Sequence, residues 1–330
     1  MTTYQVFSTR ELFPHIFDPL EKIARVEVWP EGKQLPYEAL KDKAAQSDGL
    51  ISMLSDRIDE PLIKAAHPRL KVITQMAVGI DNIAIETATR LGIPVGHTPG
   101  VLTETTADLA FALLMAVARR VVESAEEVHQ GLWQPWGPDV LTGYDVHGAT
   151  LGIIGLGRIG QAVARRAKGF GMRVLYSDER RKTDVEQELG IEFVSLDEML
   201  PQVDFLSLHV FLSAETRGMI GREQFARMKP TAFLINTARG GVVDTEALTW
   251  ALKSGTIAGA GLDVYDPEPI QQDNPLLKMK NVVITPHIAS ASKKTRRRMA
   301  EMMVENVIAG LNGNRLPYCA NPEVYEMKKK

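Results

Sequence analysis

A glycine-rich turn in the middle of the chain constrains the fold more than any other feature of the sequence. The segment Thr150–Gly160 reads TLGIIGLGRIG, an apolar strand pattern that runs into the spacing Gly155-x-Gly157-x-x-Gly160. An amphipathic helix pattern follows, and a second apolar strand pattern ends at Asp178, 18 positions after the third glycine (178 − 160). This motif binds a dinucleotide when it lies between a strand and a helix and is followed by a second strand that ends at an acidic residue. All of these elements are predicted here.

Each residue of this motif has a separate physical role. Gly155 allows a tight turn, the missing Cβ of Gly157 lets the backbone approach a pyrophosphate, and Gly160 lets the helix pack closely on the strand. The start of the helix offers N–H groups to the phosphates, and Asp178 accepts hydrogen bonds from a ribose diol. We therefore expect an NAD-type cofactor. A glycine-rich turn in an ordinary α/β protein is the alternative.

The rest of the chain has the sequence pattern of an α/β protein. The predicted strands are Tyr4–Ser8, Val26–Trp29, Gly49–Met53, Val72–Gln75 and Pro94–His97 before the glycine turn, and Met172–Tyr176, Asp204–His209, Ala232–Asn236, Ala258–Asp263 and Val282–Thr285 after it. Helical patterns lie between them, and two longer helices are predicted at Thr103–Gly131 and Ser290–Leu311. Such alternation is typical of βαβ units and a parallel sheet.

The position of the glycine motif predicts the domain organisation. Because α/β units lie on both sides of it, we expect two Rossmann-like or flavodoxin-like parallel-sheet domains, with the dinucleotide-binding domain inserted in the substrate domain. The predicted limits are 101–287 for the dinucleotide-binding domain, and 1–100 with 288–330 for the substrate domain. A cleft between such domains is where a substrate is expected to meet the nicotinamide.

Composition excludes several classes of protein. The chain has 330 residues, is 45% hydrophobic and has a formal net charge of −3, which is ordinary for a globular protein and gives no sign of a nucleic-acid or membrane partner. The longest apolar run, Leu109–Ala118, is too short to span a bilayer, and the N-terminus lacks a secretory pattern, so we expect a cytoplasmic protein. Cys319 is the single cysteine, and no His/Cys cluster has metal-ligand spacing.

Three polar residues each follow a predicted strand downstream of the glycine turn. Arg239, Glu268 and His287 would therefore lie at the carboxyl edge of the sheet, where ligands bind in such folds. Taken singly, each also fits an ordinary role, as a solvated arginine, a surface turn, or a capping or core histidine.

Six motifs stand in order along the chain: Val78-Gly79-Ile80-Asp81-Asn82, Thr105-Thr106-Ala107-Asp108-Leu109-Ala110, Gly155-Leu156-Gly157-Arg158-Ile159-Gly160, Asn236-Thr237-Ala238-Arg239-Gly240, Ala260-Gly261-Leu262-Asp263-Val264 and Thr285-Pro286-His287-Ile288. With these motifs, the chain from about Gly49 to Asn312 resembles the D-isomer-specific 2-hydroxyacid dehydrogenases, most closely the glyoxylate/hydroxypyruvate reductase branch. The resemblance implies reduction of a small 2-keto acid by hydride transfer from NAD(P)H.

The resemblance also implies a role for each site residue. Arg239 would bind the substrate carboxylate and polarise the keto oxygen, His287 would donate the proton, and Glu268 would hydrogen-bond the other ring nitrogen, roles that suit their chemistry. The implied cofactor contacts are Thr106, Gly155, Gly157, Arg158, Ile159, Gly160, Asp178, His209, Val210, Thr216, Thr237, Ala238, Arg239, Asp263 and His287. The implied substrate contacts are Leu54, Val78, Gly79, Arg239, His287 and Arg296.

The choice of cofactor and substrate is less constrained by the sequence. Asp178 and Glu179 repel a 2′-phosphate whereas Arg180 and Arg181 attract one, so NAD(H) is the prediction and NADP(H) the alternative. Leu54 and its neighbour Met53 predict a small pocket, which favours glyoxylate or hydroxypyruvate. The alternatives are a relative acting on 3-phosphoglycerate or phosphite, and an NAD(H)-sensing binding protein of the same superfamily.

The segment Val121–Tyr144 predicts self-association. It contains more apolar side chains than a connecting segment easily buries in its own domain, and such exposed patches usually mark an interface. A helix packed inside its own subunit is the alternative. Members of the resembling family form dimers through this segment, so we expect a two-fold homodimer whose interface includes Trp133 or Trp136.

Overall fold

The computed structural model describes residues 4–30 and 35–327, and the chain divides into two compact units. Unit 1 consists of the chain up to Leu102 together with the chain from Ser292 onward, and unit 2 is Thr103–Ala291. Unit 2 is thus inserted in unit 1.

Unit 1 is built around a five-stranded parallel sheet. Its N-terminal part contains β1 (Tyr4–Ser8), α1 (Asp18–Glu21), β2 (Ala24–Val28), α2 (Tyr37–Ala45), β3 (Gly49–Ser52), α3 (Glu60–Ala66), β4 (Val72–Gln75), α4 (Ile85–Arg90) and β5 (Val95–Gly96). The strand order is β2-β1-β3-β4-β5. Each strand predicted before the glycine turn forms, with its ends within two residues of the prediction.

Unit 2 contains a seven-stranded parallel sheet. Its elements are α5 (Thr103–Ala118), α6 (Val121–His129), β6 (Thr150–Ile154), α7 (Arg158–Gly169), β7 (Arg173–Ser177), α8 (Thr183–Leu189), β8 (Glu192–Phe193), α9 (Leu196–Met199), β9 (Phe205–Leu208), α10 (Arg222–Arg227), β10 (Phe233–Asn236), α11 (Thr245–Lys253), β11 (Gly259–Leu262) and β12 (Val282–Ile284), with single 3₁₀ turns at Gly240–Val242 and Pro275–Lys278. The strand order is β12-β11-β10-β9-β6-β7-β8. The chain then returns to unit 1 as α12 (Lys293–Leu311) and α13 (Val324–Met327).

Both sheets are covered by helices on their two faces, which explains why their strands are almost continuously apolar. In unit 1, Val6 and Val72 pack with α12 on one face, while their neighbours Phe7 and Ile73 pack with α2 and α3 on the other. In unit 2, one face carries α5 and α7 and the other carries α9, α10 and α11. The predicted fold class, two parallel-sheet α/β domains with one inserted in the other, is confirmed.

The prediction of one helix over Thr103–Gly131 is wrong. The helix ends at Ala118, and a second helix starts at Val121 after Arg120, which has a left-handed backbone with φ of +53°. The carbonyl of Ala118 accepts a hydrogen bond from the N–H of Tyr144, which returns from the following loop, and Arg120 binds the carboxylate of Glu123 through two nitrogens at 2.9 Å. These tertiary and local bonds replace the hydrogen bonds that a continuous helix would make.

In the part of the chain that the structure describes, no helix has both the length and the apolar character needed to cross a bilayer.

Candidate active site

The glycine turn after β6 is packed in the way that its three glycines predict. Gly155 has φ of +90°, and a Cβ on it would lie 2.8 Å from the carbonyl carbon of His209, which follows β9. A Cβ on Gly160 would lie 2.2 Å from the carbonyl oxygen of Gly155, whereas a Cβ on Gly157 would meet nothing within 4 Å. Gly155 and Gly160 are therefore needed for close packing, and the exposed Gly157 leaves its side of the turn open to a ligand.

The start of α7 has the properties of a phosphate-binding site. Gly157 is the N-cap residue, no side chain caps the helix, and its first turn contains no acidic residue. The turn lies where the strand order reverses between β6 and β9, which is the ligand-binding position of doubly wound sheets. At the end of β10, the hydroxyl of Thr237 is buried and meets no partner among the described residues. These features fit a dinucleotide, which would supply the missing partners.

Asp178, at the end of β7, is held as an ionised acceptor. Its Oδ2 accepts the N–H of Leu156 at 2.7 Å and the ammonium of Lys182 at 2.9 Å, and the same ammonium donates to the carbonyl of Leu156 at 2.7 Å. Burial acts to raise the pKa of Asp178, but the hydrogen bonds from Lys182 and Leu156 outweigh it, so its pKa is lowered. Oδ1 has a single long contact, 3.5 Å from the N–H of Arg180, and is therefore the better acceptor for a ribose hydroxyl.

The basic residues after β7 differ in what they contact. Arg181 binds the carboxylate of Glu186 at 2.9 Å, so its guanidinium is engaged within α8. Lys182, which the sequence reading did not single out, is the basic side chain that contacts Asp178. Its spacing of four residues from Asp178 was the available signal.

Other predicted cofactor residues lie at the carboxyl ends of the strands or in the helices that follow. Thr106 is buried in α5, Arg158 and Ile159 form the first turn of α7, Val210 follows β9 and Ala238 follows β10. Two others have polar side chains that contact the protein. The Nε2 of His209 lies 2.8 Å from the hydroxyl of Ser207, and burial lowers the pKa of His209 to about 4. The hydroxyl of Thr216 donates to the carbonyl of Phe211 at 2.6 Å.

The side chains of His287 and Glu268 are hydrogen-bonded to each other. Nδ1 of His287 lies 2.7 Å from Oε2 of Glu268, and both side chains are partly exposed. Burial acts to raise the pKa of Glu268, but the bond and charge of His287, the N–H of Tyr265 and the charge of Arg239 outweigh it, so its pKa is lowered. The carboxylate is thus ionised and oriented by two donors, since Oε1 accepts the N–H of Tyr265 at 2.9 Å.

The turn that carries His287 is anchored by the buried carboxylate of Asp263. Oδ1 accepts the hydroxyl of Thr285 at 2.6 Å and the N–H of Ile288 at 2.8 Å, and Oδ2 accepts the N–H of Ala289 at 2.8 Å. Burial raises the pKa of Asp263 in spite of these bonds. His287 itself has a left-handed backbone with φ of +53°, a conformation that costs about 1–3 kcal/mol and persists only where the surroundings impose it.

Arg239 is brought to the same region by close packing of two loops. Asn236, the last residue of β10, accepts the N–H of Ala238 and donates to the carbonyl of Arg239, which fixes the turn. The next residue is Gly240, where a Cβ would lie 1.9 Å from the carbonyl carbon of Tyr265, so only glycine allows this approach. The charge of Arg239 therefore acts on Glu268 and contributes to lowering its pKa.

Tyr265 ties the ends of the two strands that carry Asp263 and His287. Its hydroxyl lies 2.8 Å from the carbonyl of Leu262 and 2.9 Å from that of Thr285, and it accepts the N–H of Thr285 at 3.1 Å. Burial raises the pKa of Tyr265, so the hydroxyl stays protonated and able to donate.

Of the predicted substrate residues, Leu54, Val78, Gly79 and Arg296 belong to unit 1. Leu54 lies in the loop after β3, and Arg296 in the first turn of α12; both are half-buried. Among the described residues, no group of His, Cys, Asp and Glu is arranged to hold a metal ion.

The loop after β4 in unit 1 turns three carbonyls toward the protein. The carbonyl of Ala77 accepts a hydrogen bond from the N–H of Thr98 at 2.9 Å. The carbonyl of Val78 lies 3.0 Å from Nδ1 of His97. The carbonyl of Gly79 accepts a hydrogen bond from Nε2 of Gln75 at 2.8 Å. Because a carbonyl only accepts, Nδ1 of His97 carries a proton.

The N–H groups of Val78, Gly79 and Ile80 meet no acceptor in the described part of the chain. Because each peptide unit is planar and trans, the bonded carbonyls of Ala77, Val78 and Gly79 direct these three N–H groups away from the partners of the carbonyls. Successive outward N–H groups of this kind form an anion-binding nest.

Comparison with known proteins identifies relatives over nearly the whole chain. A family model described as the D-isomer specific 2-hydroxyacid dehydrogenase, NAD binding domain, matches residues 111–289. The chain is 54% identical over 329 residues to a glyoxylate reductase of Korarchaeum cryptofilum, covering 98% of each chain.

Two solved structures have the same fold. A crystal structure of a protein from Thermus thermophilus shares 49% identity with a TM-score of 0.90, covering 96% of this chain and 99% of that one. An NADPH-dependent glyoxylate/hydroxypyruvate reductase of Sinorhizobium meliloti, solved with NADP and malonate, shares 30% identity with a TM-score of 0.85, covering 97% of this chain and 98% of that one. The chain therefore belongs to the D-isomer-specific 2-hydroxyacid dehydrogenase family.

Proposed function

We propose that this protein reduces a small 2-keto acid of the glyoxylate type to the D-2-hydroxy acid, with NADH as the preferred cofactor. The hydrogen bond of 2.7 Å between His287 and Glu268 is the observation that carries the proposal, because it gives a histidine an oriented ring and an anionic partner. Arg239 lies on the adjoining loop, and the dinucleotide turn lies at the same edge of the sheet. The glyoxylate reductase of Korarchaeum cryptofilum supports the choice of substrate class.

The proton is delivered from Nε2 of His287, because Nδ1 makes the hydrogen bond to Glu268. The ionised Glu268 fixes the orientation of the ring, so Nε2 can deliver its proton to the keto oxygen as this oxygen gains negative charge. The guanidinium of Arg239 polarises the same oxygen, which a lysine would do with less directional hydrogen bonding. When bound, the nicotinamide dinucleotide supplies the hydride that is added to the carbonyl carbon.

A carboxylate is the other group that the substrate presents. The outward N–H groups of Val78, Gly79 and Ile80 form a donor set on unit 1 for such a group, and we assign the substrate carboxylate to them. Their carbonyls are already hydrogen-bonded, so the donors need little rearrangement on binding.

The preference for NADH rests on Asp178. The adenosine ribose of NADH would donate to Oδ1, whereas a 2′-phosphate would meet an ionised carboxylate. Lys182 neutralises part of that charge, so the discrimination between NADH and NADPH is finite. The cofactor pocket would be completed by Gly157, at the start of α7, and by the buried hydroxyl of Thr237.

A panel of turnover assays tests this function. Glyoxylate, hydroxypyruvate, pyruvate and 3-phosphohydroxypyruvate are each supplied with NADH and then NADPH, and oxidation of the cofactor is followed by its absorbance. We expect the highest kcat/KM for glyoxylate or hydroxypyruvate with NADH. Binding of NADH without turnover of any keto acid would refute the proposal and favour an NAD(H)-sensing protein.

The assembly that we propose is a homodimer. No residue of α6 is buried, and three of its apolar side chains, Val121, Val122 and Val128, are at least half exposed. In the segment that follows, Trp133 is 78% exposed and Trp136 is 87% exposed. A patch of this kind on one chain is typical of an interface, and a two-fold axis would bury it against the same patch of a second copy.

A further inference from the structure

Two amide side chains of unit 1 form a reciprocal pair next to the outward N–H groups. Nε2 of Gln75 donates to Oδ1 of Asn82 at 2.8 Å, and Nδ2 of Asn82 donates to Oε1 of Gln75 at 2.7 Å. Gln75 is the last residue of β4 and is fully buried, and Asn82 is half-buried. The pair is thus a short link from the end of a rigid strand to the far end of the loop that it starts.

The other amide hydrogens of Gln75 and Asn82 donate to backbone carbonyls of two loops. Nε2 of Gln75 also donates to the carbonyl of Gly79 at 2.8 Å, which turns that carbonyl inward. Nδ2 of Asn82 also donates to the carbonyl of Asp56 at 2.7 Å, in the loop after β3, and the carbonyl of Asn82 accepts the N–H of Ile58 at 3.0 Å. Both amide hydrogens of each side chain are therefore used, and the loop 53–58 is joined to the loop 76–82.

The consequence concerns which way the peptide groups of the second loop face. A peptide unit is planar and trans, so the carbonyl of one residue and the N–H of the next residue point in opposite directions. A carbonyl that is fixed inward therefore directs the N–H of the following residue outward. We propose that Gln75 and Asn82 are positioning residues for the substrate carboxylate. Gln75 fixes the carbonyl of Gly79 and thereby directs the N–H of Ile80, and the link from Gln75 to Asn82 holds together the two ends of the loop that carries Val78 and Gly79. This inference rests on the proposed function, and it assigns substrate affinity to side chains that do not themselves touch the substrate.

Two variants remove the pair in different ways. Gln75→Met keeps nearly the same length and an apolar stem but removes both the donors and the acceptor. Asn82→Ala leaves Gln75 in place and cuts the link to the loop after β3. For both variants we expect KM for glyoxylate to rise about ten-fold, while kcat changes less than about three-fold and the Kd for NADH stays the same, since the lost interaction is one of ground-state binding.

A matched control separates positioning from general destabilisation. Asn321 is also a fully buried amide of unit 1, and it is bonded to the N–H of Val95 at 2.7 Å and to the carbonyl of Ile93 at 3.1 Å. Asn321→Ala should lower Tm by an amount similar to Gln75→Met and leave KM for glyoxylate unchanged. An unchanged KM in folded Gln75→Met, or an equal rise of KM in Asn321→Ala, would overturn the inference.

A binding measurement keeps this inference distinct from the proposed function. Oxalate is an unreactive two-carbon carboxylate, and its Kd is measured by calorimetry on the full chain at saturating NADH. Gln75→Met and Asn82→Ala should weaken oxalate binding about ten-fold relative to Asn321→Ala, even if no keto acid is turned over and the proposed function fails. Equal oxalate affinity in all variants, or no oxalate binding to the wild-type protein, would refute the positioning role.

Discussion

Nδ1 of His287 lies 2.7 Å from Oε2 of Glu268, although 19 residues separate them in the chain. The two residues follow different strands of unit 2, and each is fixed independently. Asp263 anchors the turn of His287 through three hydrogen bonds, and the backbone of Tyr265 binds the other oxygen of Glu268. The geometry of the pair is therefore fixed by hydrogen bonds within the protein.

Removing the ring of His287 should abolish most of the reaction. We expect His287→Ala to lower kcat for glyoxylate by about 10²–10⁴-fold, because the proton donor is lost while the dinucleotide turn is untouched. Titration of NADH by its fluorescence should show that the variant still binds the cofactor. A kcat equal to that of the wild type would exclude His287 as the acid.

Glu268→Gln should slow the reaction. The variant keeps a hydrogen-bond acceptor for Nδ1 of His287 but replaces the ionised carboxylate with a neutral amide. We expect kcat for glyoxylate to fall by about ten-fold or more, because the negative charge beside the proton donor is lost. Steady-state assays at neutral pH measure the change, and a kcat equal to that of the wild type would contradict this role.

The same substitution should change how stability depends on pH. The pKa of Glu268 is lowered in the folded protein, so its ionised form contributes stability above the ordinary glutamate pKa of about 4.3, and this contribution is lost as the pH falls through the lowered value. The difference in Tm between wild type and Glu268→Gln should be largest near neutral pH and disappear at acid pH. Calorimetry at several pH values measures this difference in Tm. A difference that increases as the pH falls would contradict the prediction.

Asp178 and Lys182 should together set the preference between NADH and NADPH. Asp178→Ala removes the repulsion and leaves Lys182, so the ratio of kcat/KM for NADPH over NADH should rise about ten-fold or more. The double variant Asp178→Ala/Lys182→Ala should lose this gain. Arg181→Ala is the control, because Arg181 is bound to Glu186 and should not affect the ratio. A wild-type protein that already prefers NADPH would refute this assignment.

The exposed tryptophans should control assembly. Sedimentation equilibrium at micromolar concentration should give twice the chain mass of 36.5 kDa for the wild type. Trp136→Glu combined with Trp133→Glu should give the mass of a single chain, because a charge would be buried without a partner at the interface. Leu277→Glu changes an exposed apolar residue outside this segment and should leave the dimer intact. A monomeric, active wild-type protein would rule out the dimer.

The sequence alone determined the fold class and the position of the dinucleotide turn. Buried parallel strands are short apolar runs whose period is visible in the chain, and the glycine spacing has few other physical uses. The predicted strands form with their ends within two residues of the prediction because the signal is local, whereas the two-residue β8 (Glu192–Phe193) is too short to give such a signal and was not predicted. The positions of Arg239, Glu268 and His287 after predicted strands marked them as candidates, and the resemblance added their roles, since each also fits an ordinary role when taken singly.

Tertiary structure decided what the residues contact. The break after Ala118 depends on Tyr144, which lies 26 positions later (144 − 118), and no local pattern contains that contact. Two other contacts also depend on side-chain rotamers and loop geometry. One is the ion pair of Lys182 with Asp178, and the other is the hydrogen-bonded pair of Gln75 and Asn82. The hydrophobic period of the sequence indicates which side chains are buried. A hydrogen bond between residues that are distant in the chain depends on their positions in space, which only the folded structure provides.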